Sequence, residues 1–165
     1  MNSTIKSGIL IGVLCGVWML IMGYTSWYKN PTMYNVFFVV ILLQIGVMVW
    51  GLKQTAADKA YAGQVIEGTL MSVYGGVILF VLSLVFTGVL FPHYFEEIQN
   101  MYAQIMRSQG KTEQEIADAV QAAMKTQTTF LQALFGLLGT VATGVVASLI
   151  IAIIYRKKSD AVAIQ

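Results

Sequence analysis

The amino-acid sequence predicts an all-α polytopic membrane protein, with four transmembrane helices and an extramembrane helical hairpin between the third and the fourth of them. Hydrophobic residues make up 57% of the chain and charged residues only 11%, whereas roughly a quarter of a soluble domain is charged. Four apolar runs contain no Asp, Glu, Lys or Arg: residues 7–28, 30–52, 68–95 and 126–155. Each can cross a hydrocarbon core about 30 Å thick, since a helix rises about 1.5 Å per residue. The runs are continuous rather than alternating, which favours helices over the strands of a barrel.

The first two runs predict a transmembrane helix over about 8–28 and a second over about 34–52. A cleaved signal peptide is the alternative for the first run, because Lys6 precedes it. The run is longer than a signal peptide requires, and it ends in aromatic residues that suit a membrane interface. No small-x-small cleavage site follows it. Asn30-Pro31 predicts a short turn between the two helices.

The last two runs predict helices over about 67–91 and 130–155, which completes a single membrane domain built as a four-helix bundle. A polar connector, Lys53–Gln64, precedes the third helix. Pro92 ends that helix, because proline lacks the backbone N–H that would continue it. The basic cluster Arg156-Lys157-Lys158 follows the fourth helix and is expected to anchor it at the membrane surface.

The distribution of basic residues predicts the orientation of the chain. Four crossings place both termini on the same side as the connector, and that side carries Lys6, Lys53, Lys59, Arg156, Lys157 and Lys158. On the other side only Lys29 and Lys125 lie close to the end of a helix. The positive-inside rule therefore places both termini in the cytoplasm and residues 92–129 on the outer side of the membrane.

Residues 93–128 predict an external amphipathic helical hairpin. From Phe95 onward apolar residues recur at helical spacing, with acidic and amide residues opposite. Gly110 ends this helix, and Thr112 with Glu115 forms a capping box that begins a second one. Packing of the two apolar stripes on each other or on the membrane helices is favoured, ahead of a partner interface. Lipid contact comes third, because helices that lie on membranes usually carry basic polar faces.

Small residues at four-residue spacing predict close packing of the membrane helices. Lipid provides no hydrophobic drive between helices, so tight association depends on small residues that let backbones approach. The candidates are Gly8, Gly12 and Gly16 on the first helix, Gly68, Ser72 and Gly76 on the third, and Gly136, Thr140, Gly144 and Ser148 on the fourth. Because several helices share the pattern, packing within one chain is favoured over a homodimer formed through the Gly8 face.

Polar side chains within the apolar runs are the candidate functional residues, since a charge at the centre of a membrane is costly and often marks transport or catalysis. They are Gln44, His93 and Gln132, together with Glu67, which immediately precedes the third run. Glu67 is expected in water or among lipid headgroups, because the uncharged interval up to Glu96 is longer, as a helix, than the hydrocarbon core. The two glutamines are expected to form hydrogen bonds between helices. His93 is the only histidine and lacks the orienting partners of a catalytic site.

The sequence contains no pattern that predicts catalysis. There is no Ser/His/Asp set, no Walker loop and no dinucleotide-binding glycine motif. Cys15 is the only cysteine, so it is read as a small packing residue rather than as part of a disulfide or a cysteine-based metal site. We therefore expect no catalytic residue, no cofactor, no metal ion and no nucleic-acid partner.

The order of several short motifs resembles a bacterial family catalogued as domain of unknown function 4199. These motifs are Lys6-Ser7-Gly8, Gly63-Gln64 with Gly68, Phe91-Pro92 before Tyr94-Phe95-Glu96-Glu97, and Ile153-Ile154-Tyr155-Arg156-Lys157-Lys158. The resemblance covers nearly the whole chain. It implies a small protein of the bacterial inner membrane with four helices, in which residues 92–129 would be periplasmic, and it assigns no catalytic residue.

Two functions from different classes fit these expectations. The favoured hypothesis is a non-enzymatic accessory or scaffolding subunit, which lies in the lipid bilayer and contacts a membrane-protein partner or a second copy of itself. The alternative is a small homo-oligomeric transporter or lipid-handling protein, in which Gln44, Glu67 and Gln132 line a path. An intramembrane enzyme is the least favoured, because the inventory of nucleophiles and bases is so small.

Overall fold

The computed structural model describes residues 2–156, and every regular element in that part of the chain is helical. Four of the helical segments are long and apolar enough to cross a membrane: Ser3–Tyr24, Pro31–Gln54, Tyr61–Leu90 and Thr129–Ile154. The prediction of an all-α protein with four helices of membrane length is therefore confirmed. Of the predicted basic cluster only Arg156 is described, and Lys157 and Lys158 lie outside the described residues.

The described residues form seven α-helices in chain order. They are α1 (Ser3–Tyr24), α2 (Pro31–Tyr34), α3 (Val39–Gln54), α4 (Tyr61–Val85), α5 (Tyr94–Ser108), α6 (Glu113–Met124) and α7 (Thr129–Ile154). A 3-10 turn, Asn35–Phe38, joins α2 to α3, and a π-helical turn, Phe86–Leu90, extends α4. The end of the long helices that carries α5 is called the α5 end below, and the opposite end, where α3 joins α4, is called the connector end.

The ends of the first two long helices follow from local capping. α1 begins five residues before the predicted start, because the Asn2 side chain accepts a hydrogen bond from the Thr4 backbone N–H. It ends at Tyr24, shortly before Ser26 adopts the left-handed conformation at φ 56°. α2 then starts with a proline in its first turn, where a missing backbone N–H costs no hydrogen bond.

The third long helix begins six residues earlier than predicted, at Tyr61 rather than at residue 67. Gln64, assigned from the sequence to the polar connector, is fully buried inside the helix and accepts a hydrogen bond from Thr55 at 3.0 Å. Glu67 therefore lies almost two turns inside α4. The expectation that Glu67 is solvated is wrong, since its residue is only 9% exposed.

α4 is the central helix, packed between α1 on one side and α7 on the other, while α3 packs less extensively on α1 and α7. A core of buried apolar residues fills the region between the four helices toward the connector end. It consists of Ile11, Cys15, Val47, Met48, Leu52, Met71, Ala147 and Ile151. This half of the molecule is consequently close-packed, which is the normal state of a protein interior.

The glycines of α1 lie against α4 of the same chain. A Cβ on Gly8 would be 2.5 Å from the Tyr74 Cβ, and one on Gly12 would be 2.6 Å from the Ile78 Cβ. A Cβ on Gly16 would collide with the Leu82 side chain. The face that could have served a homodimer is thus occupied by the chain itself.

The small residues of α4 and α7 lie against each other, with one exception. A Cβ on Gly68 would be 2.5 Å from the Ser148 Cβ, and a Cβ on Gly144 would overlap the Ser72 hydroxyl. Gly76 is 3.4 Å, measured in the same way, from the Leu137 carbonyl oxygen, and Thr140 is buried. The exception is Gly136, predicted as a packing residue, around which no such contact lies within 4 Å. Close helix packing does not extend to this position.

α5 and α6 form two antiparallel helices beyond the α5 end. α5 packs on the turn between α1 and α2, and α6 packs chiefly on α5. Gly110 has φ 78° and reverses the chain, after which the Lys111 backbone N–H bonds the Met106 carbonyl at 3.1 Å. The capping box predicted at Thr112 and Glu115 is confirmed.

Candidate functional site

A cavity of about 280 Å³ lies between α1, α3, α4 and α7 in the half of the molecule nearest the α5 end. Its wall is mostly apolar, with a few amide and hydroxyl groups, and no Asp, Glu, Lys, Arg or His borders it. On α7 the wall runs from Gln132 to Thr143, eleven residues further on, which corresponds to about 16 Å of helix. The cavity is therefore elongated along α7, with a deep end near the middle of the four helices.

The cavity opens sideways, between α3 and α7. Its exposed wall residues are Phe37 and Phe38 next to α3, and Phe135, Gly136 and Gly139 on α7. The wall residues from α1 and α4 are all buried or half-buried. Neither Gly136 nor Gly139 has another atom within 4 Å of the place that a Cβ would take. The opening thus exists because α7 presents glycines where α3 turns away from it.

Gln44 forms the floor of the deep end. Its residue is 4% exposed, and its amide Nε2 donates to the Thr140 carbonyl oxygen at 2.7 Å, which ties α3 to α7. The same nitrogen lies 3.4 Å from the Ser72 Oγ. A backbone carbonyl can only accept a hydrogen bond, so the orientation of the amide is fixed. Gln44 Oε1 receives no hydrogen bond from any residue between 2 and 156.

Aromatic residues form the roof of the cavity at the α5 end. The ring of Tyr94, the first residue of α5, lies 4.9 Å from that of Tyr28 and 5.4 Å from that of Phe86, measured between centroids. Burial raises the pKa of Tyr94 to about 12, and burial with the neighbouring Glu97 carboxylate raises the pKa of Tyr28. Both phenols are consequently uncharged at physiological pH.

Glu97 holds the roof in place from outside. Its carboxylate accepts a hydrogen bond from the Tyr28 hydroxyl and pairs with Lys29 Nζ at 2.7 Å. Burial on its own raises the pKa of Glu97, but the hydrogen bonds from Lys29 and Tyr28 outweigh it and leave the pKa below its usual value. The 3-10 turn Trp27–Lys29, which follows α1, and α5 are therefore joined by a charged contact.

The π-helical turn at Phe86–Leu90 lies beside the roof. Such turns insert an extra residue into a helix and are often found at functional sites. Here the turn places Phe86 and Thr87 on the cavity wall. Thr87 itself donates to the Ser83 carbonyl at 3.0 Å, so its hydroxyl is already satisfied within α4.

Glu67 belongs to a separate polar cluster at the connector end. Its carboxylate accepts a hydrogen bond from the Thr4 hydroxyl and lies 3.2 Å from Lys59 Nζ. These contacts tie the start of α1 and the connector to α4, which explains how a carboxylate is held at a buried position. Glu67 does not border the cavity.

The four candidate residues predicted from the sequence thus lie in different parts of the structure. Gln44 lies at the deep end of the cavity and Gln132 borders it near the α5 end. His93 lies just before α5 with a side chain that is 77% exposed, 3.5 Å from the Glu96 carboxylate. Within residues 2–156 no three His, Cys, Asp or Glu side chains come together in a way that could hold a metal ion.

Comparison with known proteins gave a match to a protein family. A family model described as Protein of unknown function (DUF4199) matches residues 6–157, which include all seven α-helices except the first turn of α1. No curated protein and no solved structure matches the chain.

Proposed function

The chain belongs to the family described as Protein of unknown function (DUF4199), and we propose that it is a non-enzymatic membrane protein that binds an apolar chain of lipid type in the cavity between its four long helices. The sideways opening between α3 and α7 is the observation that carries this proposal. In the proposal the four long helices cross the inner membrane of a bacterium, both termini are cytoplasmic, and α5 and α6 lie in the periplasm. Of the two functions compatible with the sequence, the cavity favours lipid handling.

The depth of the opening supports a ligand that comes from the bilayer. Phe37 and Phe135 each lie six residues below the outer start of their long helix, which is about 9 Å along the helix axis. Gly139 lies ten residues below it, at about 15 Å. The opening would therefore face the acyl chains of the outer leaflet, and a molecule in the periplasm would not reach it without crossing the headgroup layer.

The apolar wall supplies the affinity in this proposal. Lipid chains are as apolar as the wall, so transfer of a chain from bilayer to protein gains little from the hydrophobic effect. An empty apolar cavity, however, lacks the dispersion contacts that its wall atoms would make with an occupant. A chain that fills about 280 Å³ restores those contacts, and the volume suits part of one chain rather than a whole lipid.

A substitution that closes the opening tests the proposal. We expect Gly139→Leu to reduce labelling of residues 37–44 and 132–143 by a lipid with a photoactivatable acyl chain about tenfold, a loss of roughly 1.4 kcal/mol of binding. The leucine has room, because no atom lies within 4 Å of a Cβ at this position. Labelled peptides are identified by mass spectrometry after reconstitution in defined nanodiscs.

Gly46→Leu is the matched control for that experiment. Gly46 is also an exposed glycine without neighbours within 4 Å of its Cβ position, but it lies on α3 outside the cavity. This variant should label like the original protein. Equal labelling of the cavity peptides in Gly139→Leu, or labelling confined to the outer surface of the helices, would contradict the proposal.

A role as an accessory subunit is the second candidate. The observation that favours it is the position of α6, which packs chiefly on α5 and carries Met124 with 61% of its surface exposed. Tyr102 on α5 is also partly exposed beside the groove between the two helices. A periplasmic partner, or a second copy of the chain, would cover these residues in this candidate function.

A further inference from the structure

We infer that the deep end of the cavity recognises the hydroxyl group of a neutral long-chain alcohol, which enters through the opening with its hydroxyl end foremost. The inference rests on the proposed function and goes beyond it by naming the chemistry of the ligand. Three features of the wall carry it: the absence of charged side chains, the free acceptor on Gln44, and the length of the cavity along α7.

The head of the ligand is uncharged because nothing in the wall could compensate a charge. No Asp, Glu, Lys, Arg or His borders the cavity. Gln44 and Thr143 lie thirteen and fourteen residues from the outer starts of their long helices, or about 20 Å along the helix. That depth is near the middle of the membrane, where an unpaired ion is far more costly than in water. A phosphate head is thereby excluded from the deep end.

The ligand carries a hydrogen-bond donor because the floor offers an acceptor. The Thr140 carbonyl fixes the Gln44 nitrogen on the α7 side, and Gln44 Oε1 is left without a donor from the described residues. The hydroxyl group of Thr143, three residues from Thr140 on α7, also borders the cavity and forms no side-chain hydrogen bond to residues 2–156. A ketone or ester could not donate to Oε1. An alcohol can donate to it and accept from a neighbouring hydroxyl at the same time.

The tail of the ligand is a single linear chain. The cavity extends over about 16 Å along α7, so its length suits an extended alkyl chain. The part of the wall above the floor is mostly apolar, with the polar side chains of Ser83 and Gln132 nearer the roof. The remainder of a longer tail leaves between Phe38 and Phe135 into the surrounding lipid.

Three probes with one photoactivatable chain test the inference in nanodiscs of defined lipid. They end in a hydroxyl, in a methyl group and in a phosphate. We expect the alcohol to label the peptides that contain Gln44 and Thr143 at about fivefold to tenfold lower concentration than the alkane, which is the effect of one buried hydrogen bond. The phosphate probe should not label them.

Two variants locate the effect at the floor. Thr143→Val removes a hydroxyl that makes no bond within the described protein, and Gln44→Leu removes the free acceptor. Each should abolish the preference for alcohol over alkane, whereas Gln132→Leu near the opposite end should leave it unchanged. Gln44→Leu also removes the hydrogen bond to α7. If this variant does not fold, Thr143→Val and the comparison of the three probes test the inference instead.

The outcomes separate this inference from the proposed function. Equal labelling by alcohol and alkane, still abolished by Gly139→Leu, would overturn the hydroxyl recognition and leave lipid binding in place. Preferred labelling by the phosphate probe would also overturn it. If no probe reaches the cavity peptides, both the inference and the proposed function are wrong.

Discussion

Among single residues, Glu97 is the charged residue whose contacts bear most directly on the cavity. It joins Lys29 and Tyr28, in the turn between α1 and α2, to α5, the helix that supplies part of the cavity roof. Surface ion pairs usually contribute little because water screens them. Glu97 differs in having a partly buried carboxylate with two partners, and its pKa is lowered accordingly.

The docking of α5 should therefore depend on pH. A carboxyl group with a lowered pKa contributes stability above its ordinary pKa, roughly 4.3 for glutamate, and loses that contribution as the pH falls through the value in the folded protein. We expect the backbone amides of residues 94–108 to exchange hydrogen faster below about pH 4 than at pH 7, after correction for the intrinsic pH dependence of exchange.

Two variants give the controls for this pH effect. Glu97→Gln should show fast exchange in α5 at neutral pH already, with little further change on acidification. Glu113→Gln removes a carboxylate of similarly lowered pKa, which pairs with Arg107 away from the membrane helices. This variant should behave like the original protein, and loss of protection in it would show that Glu97 is not the determining group.

Among the helices, the contact between α4 and α7 is the one that close packing controls most strictly. Gly144 lies so near Ser72 that a Cβ on it would overlap the serine hydroxyl, and a Cβ on Gly68 would be 2.5 Å from the Ser148 Cβ. Because interhelical packing in lipid depends on such close approach, a larger side chain must separate the helices or distort them.

Gly144→Leu should accordingly reduce the free energy of unfolding by about 1–3 kcal/mol, the usual cost of overpacking an interior. Unfolding of the purified protein in increasing concentrations of a denaturing detergent measures the change. Gly46→Leu adds the same side chain at an open position and should leave the unfolding curve in place. Equal destabilisation by both substitutions would mean that leucine disturbs the helices for reasons other than their packing.

The glycine spacing on α7 shows that residues repeated at four-residue spacing do not all stay on one face of a long helix. Successive residues in a helix are rotated by about 100° around its axis. A residue four positions further on therefore points about 40° away from the first. Gly136 is consequently about 80° away from Gly144 and faces a different neighbour. The spacing alone grouped both residues into one packing surface, whereas the structure places Gly136 at the opening of the cavity.

Across the whole molecule, composition determined more of the fold than of the candidate site. Uncharged runs locate the four long helices because a charge in the hydrocarbon core is costly, and only the helix ends were misplaced. Gln44 and Gln132 were found because polar residues are conspicuous in apolar runs. Phe37, Phe38 and Phe135 could not be found, since residues that face lipid and residues that face an apolar cavity have the same composition.

The orientation of the molecule and a partner for α6 can be tested with two variants that each carry one introduced cysteine. We expect Met124→Cys to react with a membrane-impermeant thiol reagent from the periplasmic side, whereas Ala57→Cys in the connector should react only after the membrane is opened. Cys15 gives no background because it is buried. A bifunctional reagent on the same Met124→Cys should then link a defined partner in native membranes.

The two arms of that experiment can fail separately. Labelling of Ala57→Cys from outside would reverse the proposed orientation. Links from Met124→Cys to lipid alone would leave the orientation in place and remove the support for an accessory role.

Tyr94 belongs both to the roof of the cavity and to α5, and this double membership couples two equilibria. A ligand that packs against Tyr94 favours the state in which α5 is docked, so its binding energy also resists the release of the helix. Thermodynamic reciprocity requires the converse: a periplasmic protein that binds only docked α5 increases the affinity for the ligand by the same factor. The docking of α5 would then depend on whether the cavity is occupied, although no molecule passes from the cavity to the external helices.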